Sequence, residues 1–321
     1  MSSTDCVKQF SDDVQRRTLS RRTLSRFLTL IENENPEAQR ALDRLSSGRL
    51  TAYRIGLTGP PGAGKSTLVN AWVRSMDPGE TVAVIAVDPT SPFSGGAILG
   101  DRVRMVELGS LENVFVRSLA SRGAMGGLAR TAQKMADALD VAGFQTILFE
   151  TMGVGQAEID ISRHADTVVV TLVPESGDGV QAMKAGMMEI ADIFLLNKSD
   201  RAQADQIRQD LLTAIQLRHN DEWIPPVIKT IATQDAGIDE IIAAVDHHRR
   251  FQNQTGRLEQ RRKDRVEFQL RQEIQYVWTA RLGREECQAA FQREVAAIYG
   301  GEATLRNAAE RILEILYEKM R

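Results

Sequence analysis

A chain of 321 residues, 42% apolar and 26% charged, has the composition of a soluble globular protein of one or two domains. Forty basic residues against 43 acidic ones give a formal net charge of −3, which removes the electrostatic drive for bulk nucleic-acid or anionic-membrane binding. Cys6 and Cys287 are too few for a disulfide framework or a zinc site, and no apolar run reaches the roughly 18–20 residues of a membrane span, so a reducing, cytoplasmic setting is expected.

Residues 1–13 are polar and read as a frayed end. Two tandem pentapeptides follow, each Arg-Arg-Thr-Leu-Ser, from Arg16 and from Arg21, too short to signal a repeat fold. Leu24, Phe27, Leu28 and Ile31 fall at helical spacing, and the arginines read as the solvated face of that helix. A mitochondrial leader is disfavoured by Asp5, Asp12 and Asp13. Asn35-Pro36 ends the helix, and a second spans 37–45.

From residue 53 short apolar runs alternate with helical patterns. Strands are expected at 53–58, 81–87, 146–149, 167–173, 193–196 and 227–231, with helices at 128–142 and 203–219 among those between them. Several strands are apolar nearly throughout, the pattern of parallel strands buried on both faces, so an α/β fold is expected: a mostly parallel sheet with helices on both faces. Beyond about 250 the strands stop. Val266, Leu270, Ile274 and Val277 recur at helical spacing, as do Phe291, Val295 and Ile298, and then Leu305, Ile312, Ile315 and Leu316. That apolar stripe needs a partner, either the sheet domain or a second copy of the chain.

Gly59-Pro60-Pro61-Gly62-Ala63-Gly64-Lys65-Ser66 matches G-x-x-x-x-G-K-[ST], with Thr67 following, between an expected strand and an expected helix. In such a loop backbone N–H groups surround phosphate oxygens, the lysine reaches the β/γ-phosphates and the hydroxyl reaches Mg²⁺. Asn197-Lys198-Ser199-Asp200 matches N-K-x-D directly after an expected strand. Its carboxylate suits the two N–H donors on the guanine edge, which favours GTP over ATP. Glu150 follows the strand at 146–149, with Gly153 three residues on, where many GTPases carry D-x-x-G. Val154 stands where Ras-like proteins have a water-orienting glutamine, so slow intrinsic hydrolysis is expected. Gln156 is a substitute for that glutamine or a solvated loop residue. Asp88, in Asp88-Pro89, is a Mg²⁺ partner or an Asp-Pro turn residue, and Asp101 a Mg²⁺ partner or a charge paired with Arg102 or Arg104. Ser94-Gly95-Gly96 supplies a hinge, and the loop from Glu175 to Gly179, with Gln181 and Lys184 after it, reads from pattern alone as surface. Asp246-His247-His248-Arg249-Arg250-Phe251 nears the cobalamin pattern D-x-H-x-x-G without its glycine, and reads as helix C-terminal charges.

Together these segments, with Val84 to Pro92, Ser94 to Arg102 and Glu150 to Gln156, resemble the methylmalonyl-CoA mutase-associated GTPases, the MeaB/ArgK family of the metallochaperone-like P-loop GTPases. The resemblance implies a P-loop G domain at 53–250, a helical N-terminal extension at 1–52 and a helical C-terminal dimerisation arm at 251–321. It implies that residues 59–67 with Gly153 bind the phosphates, that Ser66, Asp88, Asp101 and Glu150 form the Mg²⁺ set, and that Lys65, Asp88, Asp101 and Glu150 are catalytic. Asn197, Lys198 and Asp200 would hold guanine, and Asp178, Gln181 and Lys184 would form a switch that couples to the partner. The implied activity is Mg²⁺-dependent hydrolysis of GTP to GDP by a chaperone that gates cofactor loading and release for an adenosylcobalamin-dependent acyl-CoA mutase. Adenosylcobalamin is then met only through that client, and a cobalamin adenosyltransferase is a second candidate partner beside a homodimer. Met152 and Ala157 depart from the usual E-T-V-G-V-G-Q-S-E, and Ser176-Gly177-Asp178-Gly179-Val180-Gln181 from the commoner G-G-D-D/E-L-Q. The alternatives are a metal-delivery GTPase of the nickel-insertion kind, a P-loop ATPase or kinase, and a non-catalytic binding module.

Overall fold

Runs of β-branched and large apolar residues become seven parallel strands in the computed structural model, which describes residues 2–47, 50–89, 107–121, 127–151, 161–174, 186–218, 222–283 and 285–318. The strands are β1 (Tyr53–Thr58), β2 (Val82–Pro89), β3 (Val114–Ser121), β4 (Thr146–Glu150), β5 (Thr167–Leu172), β6 (Ile193–Leu196) and β7 (Val227–Lys229). Their order across the sheet is β3-β2-β4-β1-β5-β6-β7, with every pair parallel. β3 is an addition to the strands read from the sequence. It pairs with β2 over eight residues, from Val82↔Val114 to Pro89↔Ser121, and forms the edge. Arg117 and Ser118 interrupt its apolar run, which hid it from a reading based on hydrophobic runs.

Alternation along each strand distributes side chains to two faces. Leu57, Val84, Leu148, Val169 and Leu195 pack with Leu68, Val69 and Trp72 of α4 (Lys65–Ser75) and with Ile238, Ile241 and Val245 of α8 (Ile238–Thr255). On the opposite face Ile85, Ile147 and Phe149 meet α1 (Ser3–Arg16), α2 (Arg21–Glu32), α3 (Pro36–Leu45) and α5 (Gly127–Val141). Farther along that face Val168, Val170 and Phe194 meet the short α6 (Met187–Ile190) and α7 (Ala204–Arg218).

The N-terminal residues are not frayed. Ser2 and Asp5 form a reciprocal capping box on α1, and Arg17 in the left-handed conformation ends that helix. Phe10 of α1 stacks on Phe27 of α2, ring centroids 3.7 Å apart and planes 4° apart, and both rings are fully buried. Polarity masked this helix because only Cys6, Val7 and Phe10 are buried. Nor are the arginines of the tandem pentapeptides all solvated. Arg21 donates to the carbonyls of Gly109, Leu111 and Val114, at the entry to β3. Arg117 of β3 pairs with Glu32 at 2.7 Å, and Arg130 of α5 pairs with Glu34.

The chain divides into two compact units, 1–264 and 265–321, the division falling within α9 (Arg257–Leu282). In the second unit α10 (Glu285–Tyr299) and α11 (Leu305–Glu318) bury Cys287, Ala290, Ile312 and Leu316 together with Trp278 and Leu282 of α9. An ion pair between Arg311 and Glu294 joins these two helices. Val266, Leu270, Ile274 and Val277 line α9 at helical spacing and stay exposed, Val266 by 61%. No helix among the described residues is long and apolar enough to cross a membrane.

Candidate functional site

Parallel strands bring their C-terminal ends to one edge of the sheet, where ligands of open α/β sheets bind. Gly59 follows β1, Glu150 ends β4, Asn197 follows β6 and the backbone of Asp88 lies near the end of β2. Glu150 is in register with Leu57 of β1 and Ala86 of β2. Motifs far apart in sequence therefore share one edge because the sheet is all parallel.

The loop 59–64 turns from β1 into α4 through backbone that only glycine adopts comfortably. Gly59 has φ 140°, and a Cβ there would lie 2.0 Å from the carbonyl oxygen of Thr171. Gly64 has φ 85°, and a Cβ there would lie 2.5 Å from Asn197 Nδ2. α4 opens at Lys65, so its first amide groups point at the mouth of the loop with the positive end of the helix dipole. Lys65 is buried and curls onto its own loop, Nζ donating to the carbonyls of Gly59 at 2.7 Å and Pro60 at 2.8 Å. Both of these contacts are to neutral carbonyls, which an anionic phosphate oxygen outcompetes.

Behind the loop, the Ser66 hydroxyl donates to Glu150 Oε1 at 2.6 Å, and Glu150 is buried. A hydroxyl and a carboxylate at this spacing are hard oxygen donors of the kind Mg²⁺ takes, so this donor pair fits the divalent ion that the motif implies. Among the described residues no cluster of three His, Cys, Asp or Glu side chains joins them. The Asp88 side chain and all of Asp101, Gly153, Val154, Gln156, Asp178, Gln181 and Lys184 lie outside the described residues. Thr151, given no role from sequence, is buried; its amide donates to Leu57 O at 3.1 Å and its hydroxyl to Thr58 Oγ1 at 2.9 Å. It fastens the exit of β4 to the end of β1.

The N-K-x-D segment sits against the phosphate loop. Asn197 is 2% exposed and donates through Nδ2 to Ala63 O at 2.8 Å. Its Oδ1 accepts from the Ala232 amide at 3.1 Å and the Thr230 hydroxyl at 3.2 Å. Lys198, in the left-handed conformation with φ 56°, donates through Nζ to Gly62 O at 2.9 Å. Asp200 is exposed, two residues beyond Lys198, with its carboxylate available to a ligand. The segment 230–232, assigned no site role from sequence, supplies the other two partners that orient the Asn197 side chain.

The Asp246–Phe251 segment is not a set of helix-end charges. It lies inside α8, and His248 is 2% exposed. His248 Nδ1 shares a hydrogen bond of 2.8 Å with Thr167 Oγ1, and its Nε2 lies 3.4 Å from Asp192 Oδ1. Burial away from water lowers its pKa from the ordinary 6.5 to about 4, against the opposing pull of Asp192, so the ring is neutral at pH 7. These residues lie at the end of the sheet opposite the phosphate loop.

A family model for methylmalonyl Co-A mutase-associated GTPase MeaB matches residues 24–285. A protein of Pyrococcus abyssi named as a GTPase is 40% identical over 299 residues, 92% of this chain and 92% of its own length. GTPase ArgK of Escherichia coli strain K12 is 33% identical over 308 residues, 92% of this chain and 93% of its own length. Among solved structures, that of a LAO/AO transport system kinase matches with a TM-score of 0.71 at 26% identity, covering 99% of both chains.

Proposed function

The chain belongs to the MeaB family of methylmalonyl Co-A mutase-associated GTPases, and from that premise we propose that it is a guanine-nucleotide-driven chaperone of an adenosylcobalamin-dependent acyl-CoA mutase. In this reading it gates cofactor loading and release and helps to reactivate the mutase. The observation that carries the nucleotide part is the direct fastening of the N-K-x-D segment to the phosphate loop, Asn197 to Ala63 O at 2.8 Å and Lys198 to Gly62 O at 2.9 Å. Base recognition and phosphate binding then share one rigid frame.

Loop amides and the α4 N-terminus hold the phosphates, and Lys65 moves from the Gly59 and Pro60 carbonyls onto β/γ oxygens. Asp200 selects guanine by accepting its two N–H groups. Ser66 and Glu150, with Asp88 and Asp101, would hold Mg²⁺, which would supply positive charge against the phosphate oxygens. Val154 beside Gly153 offers no hydrogen bond to the attacking water, so intrinsic hydrolysis is slow and a partner accelerates it. Asp178, Gln181 and Lys184, which come after β5 in the sequence, would form the switch that reports γ-phosphate to the client. The exposed stripe of α9, from Val266 to Val277, is the surface on which a second copy of the chain docks.

The test is a GTPase assay with Mg²⁺, with and without cobalamin-dependent acyl-CoA mutases. Stimulation by one of them is the expected result. Turnover that none of them changes discards the client while sparing the nucleotide reading.

A further inference from the structure

A cavity of about 400 Å³ opens beside the N-terminal ends of β5 and β6, away from the phosphate loop. Its size falls in the range of small-ligand pockets, roughly 300–1,000 Å³. One wall is apolar and aromatic: Trp223, Phe251, Ile190 and Pro225. Trp223 is held in place, its Nε1 donating to Asp192 O at 2.8 Å and its ring 5.1 Å from that of Phe251. The rest of the rim carries charges of both signs.

Arg257 and Arg261 stand one helical turn apart on α9 and both line the cavity. Arg261 uses only Nη1, on Asp166 O and Asp192 Oδ2, both at 2.9 Å. Arg257 lies over Phe251 at 5.2 Å and reaches Glu222 only at 3.4 Å. Each guanidinium therefore keeps N–H groups with no partner among the described residues. Glu189 also lines the cavity, as does Asp264, which follows Arg261 on the same helix and accepts from Gln260 Nε2 at 2.8 Å, and among the described residues no cation lies within ion-pair distance of either carboxylate. A lone anion brought here meets those two carboxylates, and a lone cation meets the two guanidiniums. A ligand that carries one charge of each sign on an apolar body satisfies both sets and covers the aromatic wall.

We propose that this cavity binds a free α-amino acid with a large apolar side chain, its carboxylate on Arg257 and Arg261, its ammonium on Glu189 and Asp264, and its side chain against Trp223 and Phe251. None of these residues belongs to the nucleotide site. The test is calorimetry on the full chain with three probes of one shape: L-phenylalanine, N-acetyl-L-phenylalanine, which has lost the cation, and phenethylamine, which has lost the anion. The expected result is saturable binding of L-phenylalanine, with each single-charge probe weaker by about tenfold or more, as the loss of one charge-assisted pair implies. Glu189→Gln and Arg257→Gln, both at exposed positions, are expected to weaken L-phenylalanine to the same degree while leaving GDP binding and the unfolding midpoint unchanged. No saturable binding of L-phenylalanine at millimolar concentration overturns the proposal. So does equal binding of the acetylated or decarboxylated probe, or full affinity in both variants.

Discussion

Asn197→Ala is the perturbation that most directly tests how the nucleotide site is held together. The side chain is 2% exposed and makes three hydrogen bonds, to Ala63 O, the Ala232 amide and the Thr230 hydroxyl. Ala63, Thr230 and Ala232 are themselves buried, so water does not readily replace the lost partner. Each orphaned buried group costs about 1–3 kcal/mol. Taking the low end for all three gives a loss of about 3 kcal/mol, measurable as a lower urea midpoint without nucleotide. The Ala63 bond bears on function as well, because the phosphate loop must then be ordered by the ligand itself. If that one bond accounts for about 1.4 kcal/mol, the Kd for GDP rises about tenfold by calorimetry. Asn197→Asp separates the contributions. It keeps the acceptor for Ala232 and Thr230 but turns a carboxylate oxygen towards the Ala63 carbonyl, so GDP binding suffers at least as much as in the alanine variant. An unchanged urea midpoint would refute the hydrogen-bond reasoning. A lowered midpoint with wild-type GDP affinity would confine Asn197 to the scaffold.

Gly59→Ala puts a methyl group 2.0 Å from the Thr171 carbonyl oxygen in a backbone with φ 140°, so either the loop or β5 must move. GDP binding is expected to be lost or the protein to express unfolded, and wild-type affinity by calorimetry would contradict so close an approach of loop and strand. Asp200→Asn removes one charge-assisted pair to guanine and is expected to weaken GDP binding by about 1.5–3 kcal/mol while leaving the urea midpoint alone. Wild-type GDP affinity would take Asp200 out of the base pocket. His248 titrates near pH 4 in the folded chain and near 6.5 when unfolded, so the folded state binds fewer protons between those values. Its contribution is complete above pH 6.5 and is lost as pH falls towards 4, at up to about 1.4 kcal/mol per pH unit. His248→Gln should flatten that part of the stability profile in urea titrations, and a slope identical to wild type would mean the ring is not buried neutral.

Much of this molecule is written in local sequence. The phosphate loop needs glycine where φ is 140° or 85° and a helix beginning at Lys65, and all of that lies within a few residues. Apolar runs identified six strands because a parallel strand buried on both faces has little room for polar side chains. The same rule missed β3, whose Arg117 reaches Glu32, and misread α1, which shows few apolar residues because only part of one face is covered. Tertiary structure alone decided what Asn197 does: its partners Ala63, Thr230 and Ala232 meet only because β1, β6 and β7 end on the same edge. It also turned His248 from a helix-end charge into a neutral buried ring, since desolvation depends on what packs around a side chain and not on its neighbours in the chain. Local geometry is set by each residue's own backbone preferences, which composition and spacing reveal. Burial, register and long-range hydrogen bonds arise only once distant segments share the same space.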